Sequence, residues 1–261
     1  MAKYEQIADA LRQSVRTREL KPGEWLLAED KLASHCRTSP PMLQRAFAQL
    51  AGEGLIDRRH GVGTFVQEPR RRVERYNDRH QWEKDRVRRS QAERLSTGST
   101  EHDTGLEVTD LVFHAEYREA KADEDHAAVF GVPVGTRLLE RIYRTNSREE
   151  DSPFAFVRSY LVHDVVAANP DLLDDSNEPW PGGTQNQLET LGIELDCIDE
   201  WITTRPPTAE EVEELGLKKG VWVILLRKVC TDIDGRVVEV SDVTLSGDRT
   251  ELVFTTPLKR W

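Results

Sequence analysis

The sequence predicts an α+β protein in two unequal parts: a small helical head closed by a β-hairpin, and a larger body on a mostly antiparallel sheet. Three observations carry this. Apolar residues recur at helical spacing through the first fifty positions. Strand-like runs alternate with short helical patterns from about Glu107 onward. The charge changes sign between the two parts: residues 1–95 hold 20 Lys+Arg against 14 Asp+Glu, and the remainder holds 16 against 33.

The head begins with a helix, because Tyr4, Ile7, Ala8, Leu11 and Val15 share one face. "ELKPGEW" breaks it with Pro-Gly chemistry. A second helix is expected at about Ala28–Cys36, with Leu32 and Ala33 inward, and "RTS" forms the turn after it. A third starts at Ser39 and buries Leu43, Ala46, Phe47 and Leu50. It stops at "GEG" (52–54), where glycine supplies the cap geometry. "LIDRR" and "GTFVQ" then read as short strands joined through "HGVG".

Residues 67–100 are densely charged, open on an arginine run and end in small polar residues. They read as a connector with some helix around Trp82. In the body, "EVTDLVFHAEYREA" is strand-like, and "KADEDHAAVFG" is a helix closed by Gly131. "TRLLERIYRTN" and "FAFVRSYLV" are two strands, "TQNQLETLG" a short helix, and "LDCIDEWITTRP" a strand. "TAEEVEELGL" opens on a capping box, Thr208 with Glu211 three residues on. Two long strands follow around "DIDG". The plan helix, Gly-rich turn, strand, hairpin, strand occurs twice, and such a duplicated sheet tends to build a pocket between its halves.

Several classes are excluded on composition. No run of 18 apolar residues implies a membrane span, and "MAKYEQIADALRQ" lacks a secretory core, so a cytoplasmic protein is expected. Cys36, Cys197 and Cys230 lie far apart with no CxxC, which fits free thiols rather than a disulfide framework or zinc site. No P-loop, GxGxxG, HExxH or nucleophile elbow occurs, so neither a cofactor nor an enzyme is expected. A basic head on an acidic body suits a head that meets a polyanion; two merely solvated surfaces are the plain alternative.

The stretch "YEQIADALRQSV…LKPGEWL…AEDKLA…S…LQRAFAQLAGEGLIDRRHGVGTFV" resembles the winged helix-turn-helix of the GntR family of bacterial transcription regulators. The body resembles the UTRA domain of the HutC subfamily, through "AVFGVPVGTRLLERIYRT", "SPFAFVRSYL", "ELGLKKGVWVILLRK" and "DGRVVEVSDVTLSGDR". That domain shares the chorismate lyase fold but serves as a small-molecule sensor. The resemblance implies residues 1–68 as a DNA-binding domain, 69–104 as a charged linker, and 105–261 as an effector-binding and dimerisation domain. It further implies a homodimer on double-stranded operator DNA, most simply a repressor released by an unidentified small-molecule effector.

Within the family the third helix starts Ser-Arg-x-Thr-Val-Arg and enters a major groove, while the wing reaches the minor groove. Here those positions read Ser39, Pro40, Pro41, Met42, Leu43 and Gln44, so both family arginines are replaced, and a third basic position is Asp30. Proline suits the first helical turn, and Ser39 is expected to cap by accepting from Met42 N–H. The two prolines remove backbone donors that bind phosphate at a helix start. DNA contact is therefore expected to shift to Gln44 and Arg45, and to Arg58, Arg59, His60 and Gly61 of the wing, with Ser39 at the helix start. An exposed helix face is the alternative for Gln44 and Arg45.

In the body, the resemblance places effector contacts on Arg141, Arg158, Tyr160, Glu239 and Arg249. The second family arginine of "LERIYR" aligns with Tyr143, and the family glutamate after "P-x-A" with Val157. Those replacements argue against a sugar phosphate held as in the family's amino-sugar sensors. Ordinary salt bridges are the alternative role for each of the five. Two other readings of the whole chain stay open: an interaction module whose head has lost DNA specificity, and a lyase-type enzyme by fold analogy alone.

Overall fold

The computed structural model describes residues 2–59, 61–67, 70–218 and 220–259. They form two compact units, Met1–Arg71 with Leu217–Trp222, and Arg72–Gly216 with Val223–Trp261.

The first unit contains helices α1 (Lys3–Arg16), α2 (Glu29–His35) and α3 (Pro40–Gly52), then strands β1 (Ile56–Arg59) and β2 (Gly63–Val66). Its core gathers Ile7, Ala8, Leu32, Ala33, Leu43, Ala46, Phe47, Leu50, Ile56 and Val66, with Tyr4, Leu11 and Val15 packed around it. Every apolar position expected to face inward does so, because helical spacing fixes which side chains share a face. The hairpin pairs Ile56 with Val66 and Arg59 with Gly63. Trp25 bridges to Phe65 and the Leu26 amide donates to Thr64 O at 2.8 Å, which ties the hairpin to the loop before α2. Gly63 sits at φ 143°, and a Cβ there would stand 2.4 Å from Trp25 Nε1.

The start of α3 differs from expectation in one detail. Ser39 holds the N-cap position in extended geometry, but its side chain makes no capping hydrogen bond. Two prolines leave Met42 as the first amide, and it donates to the Ser39 carbonyl at 3.0 Å. The backbone has taken the donor that the hydroxyl was expected to satisfy.

The second unit opens with β3 (Val73–Tyr76), α4 (Arg79–Arg86), α5 (Gln91–Leu95) and α6 (Ser99–Thr104). The stretch expected to be a charged connector is thus folded with the body from Arg72 onward. Two of its arginines are held rather than solvated: Arg79 and Arg86 are buried. Arg79 donates to Asp103 at 2.6 Å, and Arg86 to the carbonyls of Glu93 and Thr97 at 2.9 and 2.8 Å.

The body follows with β4 (Leu111–Lys121), α7 (Glu124–Phe130), β5 (Arg137–Ser147), β6 (Ala155–Val162) and α8 (His163–Val166). Then come α9 (Gly183–Glu189), β7 (Leu195–Arg205), α10 (Ala209–Glu214), β8 (Val223–Asp232), β9 (Val237–Ser246) and β10 (Thr250–Val253). Six strands form one antiparallel sheet in the order β4-β5-β6-β9-β8-β7, and β10 pairs with β3 in parallel. The duplicated plan read in the sequence is visible here. Strand, helix, strand, strand occurs as β4-α7-β5-β6 and again as β7-α10-β8-β9, and the halves meet where β6 pairs with β9. The caps match their residues: Gly131 closes α7 at φ 67°, and the Thr208–Glu211 box opens α10.

Side chains alternate between the faces of this sheet. One face carries Leu139, Leu161 and Cys230, packed against Leu188 of α9. The other carries Leu138, Tyr160, Val229 and Val240, packed against Ala127 and Phe130 of α7.

Candidate functional site

Two surfaces, one in each unit, carry the chemistry. In the first unit Gln44 and Arg45 stand exposed on α3, and Arg58 and Arg59 on β1. They are not free side chains. Glu29 of α2 accepts from Gln44 Nε2 at 3.2 Å and from Arg58 Nη2 at 2.7 Å. Arg59 pairs with Asp57 at 2.9 Å and stacks over Phe65, 4.9 Å from its centroid. Arg45 lies over the Tyr4 ring at 4.3 Å. Glu29 thus brings Gln44 of α3 and Arg58 of β1 together, while Arg45 lies towards α1 and Arg59, next along the strand, points to the other side of the hairpin. Gly61 takes the left-handed φ of 72° that a tight wing tip requires. His60 lies outside the described residues. Sequence reading missed Glu29, whose neighbour Asp30 drew attention as the replaced family position.

In the second unit a cavity of about 620 Å³ opens on the face of the sheet that carries Ser159 and Glu239. Register explains its floor. Tyr143 pairs with Val157, which pairs with Val243; Ser159 pairs with Ser241, which pairs with Lys228; and Glu239 pairs with Cys230. All of these therefore point to one face, and all line the cavity. The roof comes from α4, α6, and the segment from Glu178 into the start of α9, including Trp82, Glu83 and Trp180.

The charged centre beneath this floor is the Arg141–Glu239 pair, with side chains 2% exposed each and Nη2···Oε1 at 2.9 Å. Arg141 also donates to Ser159 Oγ at 2.8 Å and to Gln187 Oε1. Glu239 accepts from Ser159 Oγ at 2.6 Å and from Ser241 Oγ at 3.1 Å, and pairs with Lys228 Nζ at 2.9 Å. Burial opposes its charge, yet Lys228 and Arg141 together hold the Glu239 carboxyl well below the usual carboxylate range. Beside it, Glu178 accepts from Tyr143 at 2.9 Å, from Tyr117, and from Gln187 at 3.0 Å. Burial pushes the Tyr143 hydroxyl well above its ordinary range, so it stays a neutral donor.

The five expected effector residues separate. Glu239 lines the cavity, and Arg141 lies directly behind the lining, held by it. Arg158 and Tyr160 fall on the opposite face, as alternation from Ser159 dictates. There Arg158 pairs with Glu210 at 2.5 Å, and Tyr160 donates to Glu140 at 3.0 Å. Arg249 lies beyond the end of β9, fully buried; it pairs with Glu150 at 2.8 Å and stacks over Phe154 at 4.7 Å. Sequence reading missed Lys228, Glu178, Gln187 and the roof. Lys228 is placed by sheet register on β8, whereas Glu178 and Gln187 reach the same site from α9 and the segment before it, far away in the chain. Elsewhere, Asp123, Asp125 and His126 place ligand atoms within 4.8 Å of one another. Asp123 there caps α7 through the His126 amide, and Asp125 pairs with Arg227.

Comparison with known proteins agrees with both units. Residues 3–66 match the bacterial regulatory proteins of the gntR family, and residues 108–251 match the UTRA domain. An uncharacterised HTH-type transcriptional regulator of Streptomyces coelicolor is 29% identical over 252 residues, covering 95% of this chain and 90% of that one. The HTH-type transcriptional repressor NagR of Bacillus subtilis is 24% identical over 249 residues, covering 94% and 91%. Among solved structures, a GntR-family transcriptional regulator superposes with a TM-score of 0.66 at 19% identity over 99% of both chains. PhnF from Mycobacterium smegmatis gives 0.53 at 20% identity, over 97% of this chain and 99% of that one. Among the described residues no helix is long and apolar enough to cross a membrane.

Proposed function

Because the chain belongs to the GntR family of bacterial regulatory proteins and carries a UTRA domain, we propose that this transcriptional regulator is a homodimeric repressor, released from its operator when a small molecule fills the cavity over Glu239. The observation that carries this is the pairing of functions on one chain. One unit exposes Gln44 and Arg45 on α3 and Arg58 and Arg59 on the wing strand, and the other holds a cavity of ligand size.

On the DNA, Gln44 suits adenine and Arg45 guanine or phosphate. Arg58 and Arg59 neutralise phosphates flanking the wing. With two helix-start amides replaced by Pro40 and Pro41, backbone and minor-groove shape carry a larger share of recognition than base edges do. Two heads in a dimer fit two half-sites about one helical turn apart. An effector acts by favouring a dimer geometry with a different head spacing.

A thermal-shift screen of metabolites finds compounds that bind the native state. A compound that raises the melting temperature is expected to weaken operator binding and to change the head-to-head distance read by paired spin labels. Operator affinity and distance both unchanged at saturation would sink the reading.

A further inference from the structure

We propose that the ligand of the cavity over Glu239 is an uncharged molecule with an apolar, ring-sized body, and that phosphorylated and carboxylated metabolites are excluded. The inference rests on the reading of that cavity as the effector site and adds the ligand's chemical class.

The first argument is charge. Each charged side chain on the lining makes at least one contact within the protein, and the buried nitrogens left over among them, Arg75 Nε, Arg79 Nε and His80 Nδ1, are at the roof and not at the sheet end. At the sheet end, Lys228 and Arg141 converge on Glu239, with Nζ and Nη2 each 2.9 Å from its oxygens. Glu83 lines the same cavity as a second carboxylate, and its charge helps hold Lys228 protonated. Glu178 adds a third, satisfied by Tyr143, Gln187 and the Trp180 amide. Two cations thus face three carboxylates at this end. At the roof, Arg79 is held by Asp103, and Arg75 and His80 by Glu200 at 3.2 and 3.0 Å. Arg86, Arg94 and Arg148 direct guanidinium N–H groups at main-chain carbonyls. An anion entering the sheet end would have to displace Glu239 from two buried cations while meeting Glu83 and Glu178. In a low-dielectric site such a like-charge approach is strongly unfavourable.

The second argument is the wall. Between the charged groups the lining is Val157, Val243, Leu245, Phe113, Phe154 and the two tryptophans Trp82 and Trp180. Such a surface gains from covering an apolar body, and a cavity of about 620 Å³ accommodates one of drug-like size. Thr184 Oγ1, which accepts from Arg141 at 3.3 Å, keeps its hydroxyl proton for a ligand carbonyl, and Ser241 Oγ, which donates to Glu239, can accept from a ligand hydroxyl.

The test uses the full chain and two probes. N-phenyl-1-naphthylamine is uncharged at neutral pH and fluoresces in apolar surroundings; glucose 6-phosphate is the anionic probe. Wild-type protein is expected to bind the naphthylamine saturably at one site per chain. Val157→Trp, which fills the floor, is expected to weaken this by about tenfold or more. Millimolar glucose 6-phosphate is expected to leave the wild-type melting temperature unchanged. Glu239→Gln removes the carboxylate shared by Lys228 and Arg141. That variant is expected to melt lower and to be raised again by glucose 6-phosphate or inorganic phosphate. A wild-type melting temperature raised by glucose 6-phosphate, with the rise lost in Val157→Trp, overturns the ligand class while leaving the cavity as the site. Naphthylamine binding unchanged by Val157→Trp overturns the cavity itself.

Discussion

Glu239 Oε1 lies 2.9 Å from Arg141 Nη2, with both side chains 2% exposed, so the arginine expected to meet an effector meets a carboxylate of its own chain. Removing one member of such a pair leaves the other charged and buried. Arg141→Leu is therefore expected to cost about 3 kcal/mol in urea unfolding, the low end of the 3–5 kcal/mol range because Lys228 still faces Glu239. Unfolding within about 0.5 kcal/mol of wild type, the range of ordinary surface substitutions, would show that the pair contributes little.

Glu29 restrains two of the side chains proposed to meet DNA, since Gln44 and Arg58 both donate to it. On the proposed reading, DNA competes with this carboxylate for Arg58. Glu29→Gln is expected to tighten binding to any duplex, measured by fluorescence anisotropy. Arg58→Ala is expected to weaken binding across all sequences and to reduce the slope of log affinity on log salt by about 1. Weaker binding by Glu29→Gln would mean that the carboxylate positions Arg58 for contact rather than withholding it.

The wing depends on Gly63. Its φ of 143° is open to glycine alone, and a Cβ would overlap the Trp25 indole. Gly63→Ala is expected to cost about 1–3 kcal/mol locally and to lower operator affinity. Trp25→Ala in the same chain relieves the overlap but not the backbone strain, so the double variant is expected to recover only part of the loss. Full recovery would assign the whole effect to the side-chain clash.

Glu200 ties β7 to β3 and α4. Burial raises its pKa, but the hydrogen bond with His80 and the charge of Arg75 overcome this and hold the carboxyl at about 2, against an ordinary 4.5. A depressed carboxylate stabilises the fold fully above its unfolded value, and the contribution is lost as pH falls through the folded one. Stability of the second unit is expected to fall between pH about 4.5 and 2. Glu200→Gln is expected to flatten that part of the profile. An unchanged acid limb in the variant would place the sensitivity on other carboxylates.

Much of this architecture is legible in the sequence, and the exceptions have physical causes. The inward faces of α1 and α3 follow from spacing, and the α7 and α10 caps from single residues with defined backbone demands. The duplicated half-sheets follow from repeated patterning. Arg158 and Tyr160 were separable from Arg141 only through register, because a residue's face depends on which partner it meets across the strand. The arginine-rich stretch 70–94 looks like a solvated connector, yet Arg79, Arg86 and Arg94 are held by a buried carboxylate and by carbonyls that no local pattern announces. Ser39 shows the same limit at one residue, where its carbonyl rather than its hydroxyl takes the Met42 amide.

The central claim is that the face formed by α3 and the wing reads an operator. Footprinting of the full chain on the DNA upstream of its own coding region tests this most directly, with wild type and Arg58→Ala/Arg59→Ala side by side. The account predicts two protected half-sites with centres about 10 base pairs apart, or a multiple of that, and loss of protection in the double variant. No sequence-specific protection by wild type, or a footprint that survives the double variant, would contradict it.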